Sequence, residues 1–147
     1  MNDKLDKSGR AELDIWIKKH LDTAVRKFIK QGKIDSLIVE AKPAWVLPFQ
    51  ILIGKIRTQG SSKEFDWFIC GEVPTDYLES SVATTPRDVA KHFTMKWQLA
   101  AARHQQKIGK NPVAITQGSQ HEDPAAQLVR QAEALYAVVD DDRVWLQ

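Results

Sequence analysis

Cys70 is the only cysteine in the chain and its strongest nucleophile. It sits in the apolar run Trp67-Phe68-Ile69-Cys70, where a buried thiol stays protonated and inert. The four histidines, His20, His92, His104 and His121, form no His-x-x-x-His pair, and no Cys-x-x-Cys occurs. No metal-ligand spacing is therefore present. Asp140-Asp141-Asp142 lacks the alternating acids and the glycine of a calcium loop, and consecutive helical residues point in different directions. There is no Gly-x-Ser-x-Gly elbow and no glycine-rich phosphate loop. These residues assign no catalytic group, no metal and no cofactor.

What remains is a set of polar and aromatic groups suited to holding a ligand: Trp67, Asp76, Arg87, His92 and Lys96, with Trp97 beside them. Asp76 and Arg87 bracket a ten-residue connection and are placed to pair across it. Asp88, His92 and Lys96 recur at four-residue steps, which puts them on one helix face. Six Lys/Arg (Arg87, Lys91, Lys96, Arg103, Lys107, Lys110) stand against one acid, Asp88, between Pro86 and Lys110. That face could attract a phosphate, an acidic ligand or nucleic acid, or simply be solvated.

The elements that must position these groups follow from periodicity. Ser8 is the expected cap of a first helix. Leu13, Trp16, Ile17, Leu21, Ala24, Val25 and Phe28 form its buried stripe, and Gly32 stands just past its end. Ser36–Glu40 is a short strand candidate. Ala44–Leu47, held between Pro43 and Pro48, is an edge strand or an extended connection. Phe49–Arg57 and Phe65–Glu72 read as two strands joined by a polar turn at Thr58–Ser62, and Val73–Tyr77 reads as a turn. Thr85-Pro86-Arg87-Asp88 starts a helix with the stripe Val89, Phe93, Trp97, Ala100 and Ala101, ended by Gly109 and Pro112. Asn111–Glu122 is a connecting loop. Asp123-Pro124 starts a last helix with the stripe Leu128, Val129, Ala132, Leu135, Tyr136 and Val139. Asp140-Asp141-Asp142 stops it, and Val144-Trp145-Leu146 is a tail expected to dock. The expected fold is α+β in the order α-β-β-β-α-α: one domain over residues 1–147 with a loose leader at 1–8. Its small, mostly antiparallel sheet is packed by three helices.

Across Trp67-Phe68-x-x-Gly71-x-x-Pro74-x-Asp76, Arg87-Asp88 and His92-Phe93-x-x-x-Trp97-Gln98 the chain resembles the small bacterial proteins of domain of unknown function 4826. The resemblance runs from the first helix to Trp145; the first ten residues and Asn111–Glu122 do not carry it. It implies a compact cytoplasmic bacterial domain, and neither an activity nor site residues.

The bulk composition bounds the function. The chain has 147 residues, 43% of them hydrophobic and 27% charged, which suits one globular domain. No apolar run is long enough to span a bilayer, the first ten residues hold no apolar signal core, and one cysteine cannot form an internal disulfide. These features point to a cytoplasmic protein without membrane partners. Residues 1–33 carry nine Lys/Arg against five Asp/Glu, and residues 120–147 two against six. Ends of opposite sign can meet within a chain or across a dimer. Both central strands carry apolar side chains on both faces, so an uncovered second face calls for a partner. The reading is a small binding or interaction module without catalysis that self-associates, as a homodimer, with an unidentified protein partner also open. The alternative is a small-molecule-binding protein or enzyme with its pocket near Trp67, Asp76, Arg87 and His92.

A second alternative is a weak nucleic-acid binder through the basic helix 86–110, weak because the net charge is only +2. Fluorescence titration with mixed-sequence DNA and RNA at physiological salt is expected to show nothing tighter than about micromolar. Nanomolar binding abolished by Lys96→Glu would reverse that expectation.

Overall fold

Asp6 opens the first helix: its carboxylate accepts the Gly9 N–H at 2.7 Å. An acid two residues before Ser8 therefore takes the capping role expected of Ser8, and α1 spans Lys7–Lys30. Gly32, at φ +76, takes the left-handed position past the end of α1, as its place in the sequence requires. The computed structural model describes residues 6–34, 39–58, 64–109 and 123–146. Contacts divide the chain into two compact units, Met1–Val89 and Ala90–Gln147.

The first unit holds α1 and a four-stranded antiparallel sheet of β1 (Val39–Leu47), β2 (Ile51–Thr58), β3 (Asp66–Gly71) and β4 (Asp76–Leu78), in the order β1-β2-β3-β4. The fold class is α+β. The sheet bears out one reading from the sequence and alters two others. Ala44–Leu47 belongs to β1, an edge strand that includes Pro43, with an irregular register between Pro43 and Trp45. Phe49 precedes the second strand, because Gln50 N–H donates to the Leu47 carbonyl at 2.9 Å and closes a turn over Pro48-Phe49. The turn read at Val73–Tyr77 ends in a fourth strand, Asp76–Leu78, that pairs with Trp67–Ile69. The start of the Ser36–Glu40 candidate, the 59–63 turn and the 110–122 connection lie outside the described residues.

Cross-strand partners share a face. One face carries Ala41, Val46, Leu52, Ile56, Phe68, Cys70 and Tyr77, and α1 covers it with Trp16, Ile17, Leu21, Ala24, Val25 and Phe28. Gly54 sits on this face opposite Phe68, and the ring occupies the space beside it: a Cβ on Gly54 would lie 2.4 Å from Phe68 Cζ and 2.9 Å from the Lys42 carbonyl oxygen. Phe28 packs edge-on against that ring at 5.8 Å.

The opposite face is ordered in rows. Leu47 and Ile51 form one row, and Trp45, Ile53, Ile69 and Asp76 the next. The third row runs Lys42, Lys55, Trp67 and Leu78 across all four strands, followed by Glu40 and Arg57. Ile51, Ile53, Trp67 and Ile69 are 4%, 0%, 4% and 0% exposed within a single chain. The premise for a covering partner, an open second face, therefore does not hold at these four positions.

The first turn of α2 (Pro86–Gly109) belongs to the first unit, and the helix from Ala90 on belongs to the second. Asp88 N–H donates to the Thr85 hydroxyl at 3.1 Å, the cap read from the sequence. Phe93, Trp97 and Ala101 are buried, and the Phe93 and Trp97 rings stack at 5.9 Å. In α3 (Pro124–Val139) Asp123 caps the start, and Ala125, Ala132, Leu135 and Val139 are buried. Tyr136, placed in the stripe by periodicity, is exposed. The tail docks through Trp145, whose indole N–H donates to the Val138 carbonyl at 2.9 Å, while Leu146 is exposed. Among the described residues no helix is long and apolar enough to cross a membrane.

The crowding at Gly54 yields a direct check. Gly54→Ala forces the Phe68 ring against Phe28 and is expected to cost about 1–3 kcal/mol, read as a lower urea midpoint. An unchanged midpoint would show that the ring gives way freely.

Candidate functional site

Alternation along β2 sends Lys55 and Arg57 to one side of the sheet and Ile56 to the other. The antiparallel register then places Lys55 between Lys42 on β1 and Trp67 on β3. Two adjoining clefts open over this row. One, of about 420 Å³, is lined by Lys55, Arg57, Glu64, Phe65, Trp67, Ser80, Ala83 and Thr84. The other, of about 250 Å³, is lined by Lys42, Pro43, Ala44, Lys55, Trp67, Thr84 and Pro86. Lys55, Trp67 and Thr84 border both, so the two form one groove.

The floor of the groove is fixed. The Trp67 indole N–H donates to the Ala83 carbonyl at 3.0 Å and the ring is 4% exposed. The cations along the groove are held over aromatic faces. Lys55 Nζ lies 4.9 Å from the Trp67 ring, Lys42 Nζ 4.6 Å and the Arg57 guanidinium 4.0 Å from the Phe65 ring. Arg57 also pairs with Glu40 at 3.1 Å. Lys42 and Lys55 face each other directly across β1 and β2, an arrangement of like charges that costs stability in a sheet.

Of the residues read from the sequence, Trp67 is the groove's floor. Asp76 lies on the same face one row away, with its carboxylate accepting the Tyr77 N–H at 2.8 Å. Arg87 stands in the first turn of α2. Neither lines the groove. His92 and Lys96 lie farther along α2, in the second unit; His92 is half-buried and Lys96 exposed, with Nζ 6.0 Å from the Phe93 ring. Lys42, Lys55, Arg57 and Phe65 were missed by sequence reasoning. The signal that could have found them is the alternation Lys55-Ile56-Arg57 opposite Phe65-Asp66-Trp67.

Cys70 lies on the other face of the sheet. Cys70 is 1% exposed beneath α1, with its thiol 3.8 Å from the His20 carbonyl. Burial pushes its pKa from 9.0 up to about 12. Tyr77 is also pushed upward, first by burial and then by its hydroxyl donating to the Asp66 carboxylate. Asp66 additionally accepts the Ser80 N–H at 2.8 Å. His104 lies 3.5 Å from Asp123. Among the described residues no three His, Cys, Asp or Glu side chains are grouped to hold a metal ion.

Residues 11–145 match the family described as Domain of unknown function (DUF4826), and the chain belongs to it. No curated protein and no solved structure matches the chain.

Cys70 makes stability depend on alkaline pH. The folded chain keeps the thiol proton up to about pH 12, whereas the unfolded thiol loses it near 9.0. The contribution is whole below pH 9.0 and is lost as pH rises toward 12, by about 1.4 kcal/mol per pH unit. Urea midpoints followed upward from about pH 8 should fall more steeply in the native sequence than in Cys70→Ala. Parallel slopes would contradict this.

Proposed function

We propose that this member of the family is a non-catalytic binding module, a cytoplasmic protein whose ligand occupies the groove over Trp67. The observation that carries the reading is the row Lys42, Lys55, Trp67 with its two adjoining clefts. A concave site with a fixed aromatic floor and a few convergent polar groups is the usual form of a small-molecule site. Ammonium, guanidinium and hydroxyl groups line it and hold a ligand by charge and hydrogen bonds. The chain's one thiol is buried on the opposite side of the sheet. A free cysteine buried as a neutral thiol suits a reducing compartment. The reading needs no second copy of the chain, since the ligand groups come from one sheet.

The test is an amide-shift titration of isotope-labelled protein with three small ring compounds: phenyl phosphate, benzoate and phenol. At least one should move the amides of Lys55, Trp67 and Thr84. Thr84→Trp, which fills the groove from its rim, should abolish those shifts while leaving the fold intact by circular dichroism. Shifts confined to other surfaces, or none from any compound, would refute the site.

A further inference from the structure

Resting on that reading of the groove, we infer that its ligand is a phosphorylated small molecule, with the phosphoryl group between Lys42 and Lys55. Three observations converge on this end. Lys42 and Lys55 are direct cross-strand partners on the groove face, so two ammonium groups share one rung of the sheet. Among the described residues neither meets a carboxylate. The charge conflict is instead relieved only by the Phe65 and Trp67 rings, at 4.6 Å and 4.9 Å. Contacts of that kind are weak at exposed sites, which leaves the pair short of full compensation. An anion seated between the two lysines removes the repulsion and gains two charge-assisted hydrogen bonds.

The two acids near the groove flank Arg57. Glu40 is taken by Arg57 at 3.1 Å, and Glu64 borders the larger cleft beside Arg57. The smaller cleft has Lys42, Lys55 and Thr84 as its polar lining and no acid. The smaller cleft is therefore the part of the groove bordered by two cations and no acid.

The donor chemistry separates phosphate from carboxylate. The guanidinium that would grip a planar carboxylate in two parallel bonds is already paired with Glu40. What is left is two ammonium groups, each a compact charge with three rotatable donors, and a hydroxyl. That set suits the several oxygens of a tetrahedral phosphoryl group. The volumes of the two clefts, about 250 Å³ and about 420 Å³, accommodate that group and an organic part in the larger cleft, beside Phe65. Trp67 is 4% exposed and its ring carries Lys55 on top, so no base-stacking platform is offered. This favours a discrete phosphorylated compound over a nucleic acid strand.

The same three ring compounds discriminate, because they share the ring and differ in the anion. Isothermal titration should show phenyl phosphate binding at least about tenfold more tightly than benzoate or phenol, 1.4 kcal/mol in binding free energy. Inorganic pyrophosphate should displace it. Lys42→Gln with Lys55→Gln should weaken phenyl phosphate by about tenfold or more and leave phenol unaffected. Removing a repulsive pair should not unfold the protein, and the urea midpoint of the double variant is expected to be equal or higher. Equal binding of benzoate overturns the phosphoryl assignment. Phenol binding equal to phenyl phosphate overturns the anion altogether while leaving the groove as the site. Silence from all three overturns both readings. Tight binding of single-stranded RNA that pyrophosphate does not displace would replace the small molecule by a polymer.

Discussion

The Phe68 ring lies beside Gly54 at a distance no other residue type at position 54 leaves open. That contact ties β2 to β3 from the side covered by α1, and much else follows from it. A slip of one residue would carry Phe68 to the opposite face and replace Trp67 as the neighbour of Lys55. The same pairing that seats Phe68 among Phe28, Leu52 and Ile56 therefore builds the row on the far side. Core and groove are two faces of one register. Charged side chains at Lys42 and Lys55 are tolerated in that row because the ring packing beneath them specifies the pairing.

The two faces of the sheet are built on different economies of polarity. On the side of α1 the polar groups are kept neutral or internally satisfied: the Cys70 thiol is protonated, and the Tyr77 hydroxyl donates to Asp66. On the other face, polarity rises along the strands from Ile51, Ile53 and Ile69 to Lys55 and Arg57. The gradient separates the buried part of the sheet from the part able to meet a solute. It also explains why β2 can be apolar on both sides over Ile51–Ile53 and amphipathic by Arg57.

Local signals were legible in the sequence, and long-range ones were not. Thr85-Pro86-Arg87-Asp88 and Asp123-Pro124 announce helix starts because a cap bonds within its own first turn. Asp6 and Ser8 compete for one such position two residues apart, and only the formed helix decides between them. The α+β class followed from the periodicity of α1 and the alternation in the central strands. Asp76–Leu78 was not legible as a strand, since three residues after Val73-Pro74 owe their conformation to pairing with β3. The site divides the same way. Trp67 stood out by type. Lys42, Lys55 and Phe65 did not, because nothing in three separated stretches reveals which residues become opposite neighbours. Asp76 and Arg87 stood out by spacing and lie away from the groove lining.

Phe49 adopts φ +61, a left-handed conformation that a bulky residue enters at a cost of about 1–3 kcal/mol. Glycine at this corner of the β1–β2 hairpin would remove that cost, yet it would also remove the ring that meets Trp16 edge-on at 6.0 Å. The hairpin alone is therefore a poorer hairpin than its ladder implies, and it improves when α1 is in place. One strained residue adds to the packing that already joins helix and hairpin through Ala41, Val46, Leu52 and Ile56. A fragment ending before β3 would lose Phe68 and Cys70 from beneath α1 and leave Phe49 with its strain only partly offset. The corner where the chain turns from its edge strand into the centre of its sheet is thus stabilised from outside the hairpin, by the helix.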